Sequence, residues 1–426
     1  MAPHRQARFA LLLTLCFSLV AAAADEGGKA EKPGKAEPAL AHARALLRKV
    51  ILVDGHNDLP WAVREFKDAP GDVDAYDLRQ KTKGQTDLAR LKEGGLGAQF
   101  WSVYTPGEGG DHARIQLEQI ELAKRIIAKY PEAFRFARTA ADVRAAHKAG
   151  RIASLLGAEG GHAIENSMGA LRAYYDLGVR YMTLTHNVNT DWADSAADPP
   201  GKHGGLSPFG EQVVLEMNRL GMLVDLSHTS VSTMDDALRV SKAPVIFSHS
   251  AAAALCPVPR NVPDDILKRL KDNGGVVMVA FVAGFVDPDV ARVFQPALEE
   301  FNRRAREPNA DPRKLQDEIF GKLKVPPTSI GKVADQVEYI RKVAGVEHIG
   351  IGSDFDGNDQ WPVGLSDVSM FPNLFAELIR RGWSDADLTL LAGENVLRVM
   401  ERAEQVAKEL QKTTKPSLAQ IKPDGK

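Results

Sequence analysis

The amino-acid sequence predicts an α/β fold, a single (β/α)8 barrel of the TIM type. Short apolar runs alternate with longer amphipathic segments, and eight such runs fall within about 370 residues. The runs are nearly continuous rather than alternating in polarity, which is typical of strands buried on both faces of a parallel sheet. Eight strand–helix repeats of this total length match a TIM barrel with insertions. A doubly wound open sheet is the competing layout.

Each repeat can be placed along the chain. The predicted strands are residues 50–54, 98–104, 153–158, 181–185, 223–226, 244–248, 275–281 and 348–352. Amphipathic segments that predict helices lie between them, for example at residues 111–129, 140–149, 167–177, 208–220, 231–241 and 331–344. Strand and helix therefore alternate along the predicted domain, residues 43–412.

The two ends of the chain differ in composition from this domain. Residues 1–24 combine a basic start, an apolar run at 9–20 and four alanines, the order of a secretory signal peptide. A membrane anchor is the alternative, but the run is shorter than the roughly 20 apolar residues that a bilayer requires. Export to the periplasm or the medium is therefore expected. Residues 25–42 predict a flexible linker and residues 413–426 a disordered tail, because both offer little to bury.

Composition excludes several classes of partner. The chain has 54 Lys and Arg against 56 Asp and Glu, a net charge of -2 that gives no electrostatic reason to bind nucleic acid. No second long apolar segment follows the leader, so no membrane anchor is expected after signal removal. Cys256 is the only cysteine outside the leader, so an internal disulfide is not expected. A homodimer is compatible with these features.

One connection is unusually long. Residues 288–328, after the seventh predicted strand, are charged and contain several prolines. One interpretation is a solvated surface insertion. The other is a lid near the functional site, because loops after barrel strands face the catalytic mouth. The sequence favours neither.

Polar side chains that can bind metal recur just beyond the predicted strands. They are His56, Asp58, Glu159, His186, His228, His249, Asp354 and Asp356. A single histidine beside an apolar strand is more often a structural residue than a ligand. The strands of a barrel end on one rim, however, and sheet packing does not require polar groups there. Imidazole and carboxylate are the ligands of zinc sites that keep a water. The joint pattern therefore predicts a metal site.

Two metal ions fit this set better than one. His56, Asp58, His228, His249 and Glu159 are five candidate ligands, whereas a catalytic zinc takes three protein ligands and keeps one position open. Glu159 could bridge two ions about 3.5–4 Å apart. A water between them would ionise near neutral pH and supply a nucleophile, and no GxSxG elbow is present. Zinc is favoured by ligand type, while Mn, Co or Fe remain alternatives.

Several neighbouring residues have weaker assignments. Asp54 and Asp225 lie within apolar strands, and a buried carboxylate needs a partner, so each is a candidate to orient a ligand imidazole. His162 follows Glu159 by three residues and is interpreted as structural rather than as a metal-orienting group. Three aspartates remain candidates for loop or substrate contacts: Asp191, Asp194 and Asp356.

These residues lie in long segments that resemble one family. The segments are VDGHNDLPW, GAQFWSVYTP, GAEGGHAI, YMTLTHN, GLSPFGEQVV, DLSHTSVSTM, APVIFSHSAA, RNVPDD and GSDFDG. They are similar to the membrane dipeptidase (renal dipeptidase) family, peptidase family M19, over nearly all of residues 43–407. The resemblance implies a TIM barrel of the metal-dependent hydrolase type with two zinc ions that cleaves dipeptides by a metal-bridging hydroxide.

The resemblance also implies a role for each residue. His56 and Asp58 would hold one zinc, His228 and His249 the other, and Glu159 would bridge them. Three further residues would act on the substrate. His186 would support the oxyanion, Arg260 would bind the terminal carboxylate, and Asp354 would exchange a proton with the leaving amine. The family tolerates a D-residue at the C-terminal position of the dipeptide.

The chain departs from the family at several positions. Gly107 and Val188 stand where animal members are expected to carry cysteines, so disulfides and a C-terminal lipid anchor do not carry over. Near the seventh strand, Ala280 and Val282 replace larger residues, which puts the side-chain preference in doubt. Two other functions remain open: hydrolysis of another small amide, such as a β-lactam or an N-acyl amino acid, and metal or ligand binding without catalysis.

Overall fold

A computed structural model describes residues 37–307 and 310–421 of the chain. It contains nine strands: β1 (Leu52–Asn57), β2 (Leu96–Tyr104), β3 (Phe134–Phe136), β4 (Ile152–Glu159), β5 (Val179–Thr183), β6 (Leu223–Asp225), β7 (Ile246–Ser250), β8 (Val276–Val279) and β9 (Ile349–Ile351). Eight of these strands pair in parallel in the order β2-β1-β9-β8-β7-β6-β5-β4, and β2 also pairs with β4, which closes the ring. The predicted eight-stranded barrel is confirmed, and the open sheet is excluded.

Helices follow the strands around the barrel. They are α1 (Pro38–Leu47), α2 (Leu59–Arg64), α3 (Leu88–Gly94), α4 (His112–Lys129), α5 (Ala140–Lys148), α6 (Met168–Leu177), α7 (Pro208–Leu220), α8 (Val231–Val240), α9 (Asp264–Asn273), α10 (Ala283–Val286), α11 (Pro288–Ala305), α12 (Pro312–Ile319), α13 (Ile330–Ala344), α14 (Phe371–Arg380), α15 (Asp385–Thr389) and α16 (Asn395–Thr413). Short 3-10 turns occur at Gly161–Ile164, Val346–His348 and Val368–Met370, and a π-turn at Leu390–Glu394 precedes α16.

Two apolar layers explain why the strands read as continuous apolar runs. One layer, which includes Trp101 and Leu156, packs between the strands and the surrounding helices. The other, which includes Phe100, Leu155 and Tyr181, gathers alternate residues of the same strands. Successive residues of a strand point to opposite faces, so each strand must be apolar on both. The barrel interior is thus a packed core.

One close approach inside the barrel bears on the functional site. The Tyr181 ring lies flat against Gly157 of β4, where a Cβ atom would come within 2.0 Å of Tyr181 Cζ. Only glycine leaves room for this ring, because interiors are packed without spare volume. The fit directs the Tyr181 hydroxyl toward the carboxyl ends of the strands.

The folded chain begins and ends outside the predicted domain limits. Helix α1 begins at Pro38, within the range 25–42 that the sequence predicts as linker, and it continues into the predicted domain, where Ala43, Leu46 and Leu47 are buried. Residues 414–421, predicted to be disordered, lie against the barrel: Ser417 N donates to Glu216 Oε2 at 3.1 Å, and Arg172 Nη1 donates to Ser417 O at 3.0 Å. The predicted leader, residues 1–24, lies outside the described residues.

Strand β3 is an addition that the sequence pattern did not predict. Its three residues pair with the start of β4 outside the ring, at Phe134↔Ile152 and Phe136↔Ser154. Such a short run carries too little periodicity to separate it from a loop.

The described part of the predicted insertion packs on the barrel through a shared apolar cluster. Helices α11 and α12 bring Phe294 and the neighbouring Phe320 together with Cys256, Ala280 and Val282. Charged residues such as Arg303 remain exposed on its outer side. The insertion is therefore packed onto the barrel. Within residues 37–307 and 310–421, the helices lack the combination of length and apolar character needed to cross a bilayer.

Candidate metal centre at the barrel mouth

The carboxyl ends of the strands bring the predicted ligands to one rim. His56 lies in β1, Glu159 ends β4, and His249 lies in β7. His186, His228 and Asp354 each follow the last residue of β5, β6 or β9 by three positions. The strands are parallel, so these ends meet at the same mouth.

Glu159 stands at the centre of the cluster. Its Oε2 atom lies 3.4 Å from His56 Nε2. Its Oε1 atom lies 3.2 Å from His228 Nε2, 3.4 Å from His249 Nε2 and 3.9 Å from His186 Nε2. The two carboxylate oxygens therefore face different imidazoles, which is the arrangement that a bridging ligand requires.

The buried charges of the cluster call for a cation. Burial alone would raise the pKa of Glu159, but His56 and His186 hold that pKa well below its ordinary value. Burial opposes protonation of His56, yet Tyr181, Glu159 and Asp58 together raise the pKa of His56 well above its ordinary value. Ionised carboxylates in a dry site are stable only beside positive charge.

Hydrogen bonds fix which nitrogen of His56 faces the cluster. The Tyr181 hydroxyl donates to Gly55 O at 3.2 Å, so it accepts from His56 Nδ1 at 2.8 Å. The other nitrogen, Nε2, then presents its lone pair to Asp58 Oδ2, 3.2 Å away. Two acceptors facing each other repel unless a proton or a metal ion lies between them.

His249 is held in the same tautomer by a different chain of contacts. Ser248 Oγ donates to Asp225 Oδ2 at 2.6 Å, so it accepts from His249 Nδ1 at 2.8 Å. The lone pair of His249 Nε2 then points at His228 Nε2, 2.8 Å away. Histidines that bind a metal ion are usually held in this way, because the second ring nitrogen donates to a neighbouring polar group.

Both imidazoles of this second pair are held neutral. Burial, followed by repulsion from Arg260, lowers the pKa of His228 well below its ordinary value. Burial, followed by repulsion from His56, does the same to His249. Two neutral nitrogens that converge on one point fit a metal ion. The ligating atoms form three groups within 4.8 Å: His56, Glu159 and His249; Glu159, His186 and His228; His56, Asp58 and Asp354.

Two residues of the rim have strained backbones. His228 has φ 64° and Asp354 has φ 69°, in the left-handed region that non-glycine residues seldom adopt. Such strain is characteristic of sites that hold side chains in one orientation. Burial, reinforced by Asp58 and Glu159, raises the pKa of Asp354 to about 8. This carboxyl can therefore carry a proton near neutral pH.

Arg260 supplies an unsatisfied cation beside the cluster. Its Nη1 donates to His249 O at 3.0 Å, and its Cζ lies 4.1 Å from the Phe285 ring centroid. The buried Nε and Nη2 atoms have no partner among the described residues. Burial lowers the pKa of Arg260 to about 10, so the group remains charged. A buried guanidinium edge without acceptors is costly and fits a carboxylate.

The structure decides the weaker assignments. Asp225 orients the imidazole of His249 indirectly, through the Ser248 hydroxyl. Asp54 reaches no imidazole and instead accepts from Ser353 N and Oγ, each at 2.7 Å. The remaining candidates bond loop backbone: Asp356 accepts from Gln85 N, Asp194 from Lys202 N and His203 N, and His162 Nε2 bonds Thr105 O. Asp191 pairs with the Lys202 side chain.

Sequence reasoning missed the groups that hold the ligands in place. Ser248 directly precedes His249, so its position was a usable signal, whereas Tyr181 lies 125 residues from His56 in the chain. Tyr104 packs edge-on against His186 with ring centroids 4.8 Å apart. The Ser195 hydroxyl donates to His186 O.

Comparison with known proteins identifies the family. The family model described as membrane dipeptidase (peptidase family M19) matches residues 40–414. The chain belongs to this family. It is 41% identical to dipeptidase verJ of Clonostachys rogersoniana over 394 residues, which cover 90% of this chain and 92% of that protein. As a member of a metallopeptidase family of dipeptidases, the chain is a peptide hydrolase.

Solved structures agree with the M19 assignment. The chain is similar to the probable dipeptidase PvdM from Pseudomonas aeruginosa, with 26% identity, a TM-score of 0.73, and coverage of 87% of this chain and 99% of that one. It is also similar to a metallo peptidase from Rhodobacter sphaeroides liganded with a phosphinate mimic of the dipeptide L-Ala-D-Ala, with 25% identity, a TM-score of 0.67, and coverage of 83% and 99%.

One departure of this M19 chain has a direct structural counterpart. A Cβ atom at Gly107 would come 2.4 Å from Val188 Cγ2. The two positions are thus neighbours on the rim, and a glycine–valine contact joins the loops that carry them. Cys256 is buried and unpaired.

The Ser248 contacts generate a testable prediction. Ser248→Ala removes the link between Asp225 and the Nδ1 atom of His249, so the affinity for a divalent ion should fall about 10–100-fold. Competition with a chromophoric chelator measures this affinity without reference to activity. Ser154→Ala is the matched control, because the Ser154 hydroxyl is buried in β4 without a partner. Equal affinities in the two variants would contradict the orienting role.

Proposed function

We propose that the chain hydrolyses dipeptides with two Zn²⁺ ions, one held by His56 and Asp58 and the other by His228 and His249, with Glu159 shared. The observation that carries the proposal is the position of Glu159, whose two oxygens face imidazoles from different strands. When bound, such a pair of ions supplies Lewis acidity and a water that ionises near neutral pH. Nitrogen and oxygen ligands of this kind favour zinc.

Arg260 accounts for selection of substrate length. Its free Nε and Nη2 edge lies beside the ligand cluster, where it would bind the C-terminal carboxylate of a dipeptide with two parallel hydrogen bonds. A longer peptide places an uncharged amide at this position and leaves the guanidinium unpaired. The loss of a charged hydrogen-bonded pair in a dry site is expensive.

His186 and Asp354 would act on the reacting groups. Burial lowers the pKa of His186, so its ring is neutral and can donate one N–H to the carbonyl oxygen as negative charge develops there. Packing against Tyr104 holds the ring in place. Asp354, which lies within 4.8 Å of the ligand atoms of His56 and Asp58, would exchange a proton with the departing amine.

The substrate range includes a D-residue at the C-terminal position. The similar metallo peptidase from Rhodobacter sphaeroides was crystallised with a mimic of L-Ala-D-Ala, which supports this proposal. Recognition through the carboxylate and the scissile carbonyl does not depend on the side chain, so both configurations at the last residue can present the same two groups.

A substrate panel tests the proposed function. The zinc-loaded protein should hydrolyse L-Ala-D-Ala and L-Ala-L-Ala, and amidation of the C-terminal carboxylate should lower kcat/KM by about 10²-fold or more. Arg260→Lys should reduce this discrimination, because an ammonium cannot bind the carboxylate in two places.

The panel also separates the alternatives. N-acyl amino acids and a β-lactam test the other small-amide activities. Hydrolysis of amides in preference to dipeptides by the wild-type protein would contradict the proposal, as would indifference to the terminal carboxylate.

We propose further that the chain is exported. The basic start, apolar run and alanines of residues 1–24 support this. Mass spectrometry of the protein recovered from a secreting host should give a mature chain that begins near Asp25. Recovery of the uncleaved chain from the cytoplasm would contradict export.

A further inference from the structure

The insertion connects the two sides of the candidate site. The helix just before it, α10, places the Phe285 ring against the Arg260 guanidinium, 4.1 Å from Cζ to the ring centroid. Asn261, the residue after Arg260, donates through Nδ2 to Phe285 O at 2.8 Å. The segment that leads into the insertion therefore supports the side of the mouth that carries the cation for the substrate carboxylate.

The C-terminal end of α11, within the insertion, contacts the loop that carries His186. Helix α11 has 18 residues and is roughly 27 Å long, at about 1.5 Å per residue. Asn187 Nδ2 donates to Asn302 Oδ1 at 3.3 Å. Just beyond the helix, Arg306 Nη2 donates to Asn187 O at 3.0 Å, and Nη1 donates to Asp198 Oδ1 at 2.5 Å. The end of α11 and the residue that follows it thus contact Asn187, the residue next to His186.

The contacts of Asp198 continue to the His186 backbone. Asp198 Oδ2 accepts from Asn189 N at 2.9 Å, and Asn189 Oδ1 accepts from Ser195 N at 2.7 Å. The Ser195 hydroxyl donates to His186 O. A continuous set of hydrogen bonds therefore runs from Arg306 to the carbonyl of His186.

The insertion is held as a fixed element rather than as a loose flap. Its apolar cluster packs Phe294 and Phe320 with Cys256 and Val258 of the preceding barrel loop. Arg304 of α11 pairs with Glu318 of α12 at 3.0 Å. Asn302, a polar residue, is buried where it meets Asn187.

We propose that Asn302 and Arg306, with their partners Asn187 and Asp198, form a specificity-determining clasp. The clasp fixes the position of the His186 loop, and with it the separation between His186, which would bind the scissile carbonyl, and Arg260, which would bind the terminal carboxylate. The insertion thereby restricts the mouth to substrates of two residues. This proposal rests on the proposed roles of Arg260 and His186.

Arg306→Ala tests the clasp, with Arg303→Ala as the matched control. Arg303 lies on the same helix, but its partners are Glu300 and Glu307, both within the insertion. Arg306 and Asp198 are partly exposed, so loss of their pair should leave the thermal midpoint nearly unchanged. We expect Arg306→Ala to lower kcat/KM for L-Ala-D-Ala about three- to tenfold, mainly through kcat, because the displaced His186 supports the oxyanion less well.

Substrate length gives the sharper readout. The ratio of kcat/KM for a tripeptide to kcat/KM for the dipeptide should rise at least about fivefold in Arg306→Ala and stay at the wild-type value in Arg303→Ala. Arg306→Lys retains a cation near Asp198 but lacks the planar fork whose two nitrogens bond Asp198 and Asn187, so its ratio should fall between those of Arg306→Ala and Arg303→Ala. A wild-type ratio in folded Arg306→Ala would overturn the clasp.

Hydrogen exchange separates this failure from failure of the proposed function. Amides of residues 186–198 should exchange faster in Arg306→Ala than in Arg303→Ala, whether or not the protein is assayed as an enzyme. Unchanged exchange would refute the clasp. A wild-type protein that loads zinc and cleaves no dipeptide would refute the proposed function instead.

Discussion

The structure depends on one buried carboxylate that must be neutralised. Glu159 lies at the end of β4 among four imidazoles, and its pKa stays well below the ordinary value despite burial. An ionised carboxylate in such a position is tolerable only if positive charge converges on it from several directions. The ring nitrogens of His56, His228 and His249, which would hold a cation beside Glu159, come from separate parts of the chain, so they converge only after the barrel has closed. The geometry of the candidate metal site therefore depends on closure of the barrel.

The imidazoles of His56 and His249 differ in how the neighbouring carboxylate reaches them. On one side Asp58 faces His56 directly, with Asp58 Oδ2 3.2 Å from His56 Nε2. On the other side the nearest outer carboxylate is Asp225, which reaches His249 through the Ser248 hydroxyl. In both halves the Nε2 atom of the imidazole lies 3.4 Å from an oxygen of Glu159. The hydroxyls that fix the two rings, those of Tyr181 and Ser248, belong to strands β5 and β7.

The barrel was predictable because its signal is local. A parallel strand buried on both faces reads as an apolar run, and eight runs specify a ring without knowledge of their partners. Polar residues after those runs could be assigned to one rim for the same reason. The additional strand β3 escaped notice because three residues carry no period. Helix α1 and residues 414–421 escaped because their order comes from contacts with α14 and with Glu216, far away in the chain.

The supports of the site were harder to predict than its ligands. Tyr181 orients His56 only because Gly157 leaves room for its ring, and neither residue has a local feature that announces this role. Phe285 lies against Arg260 in α10, just before the insertion, and belongs to an apolar cluster that the insertion shares with residues of the barrel. The charged, proline-containing sequence of the insertion left open whether this segment was a solvated surface element or a lid. Contacts with distant parts of the chain place the described part of this segment on the barrel.

Metal content of the wild-type protein and of Glu159→Gln tests the central claim most directly. After dialysis against trace zinc, elemental analysis should find two ions per wild-type chain, and the folded variant should lose at least one of them together with most turnover. Anomalous scattering from the loaded crystal should place the ions on opposite sides of the Glu159 carboxylate. A Glu159→Gln protein that keeps both ions and the wild-type rate would contradict the account.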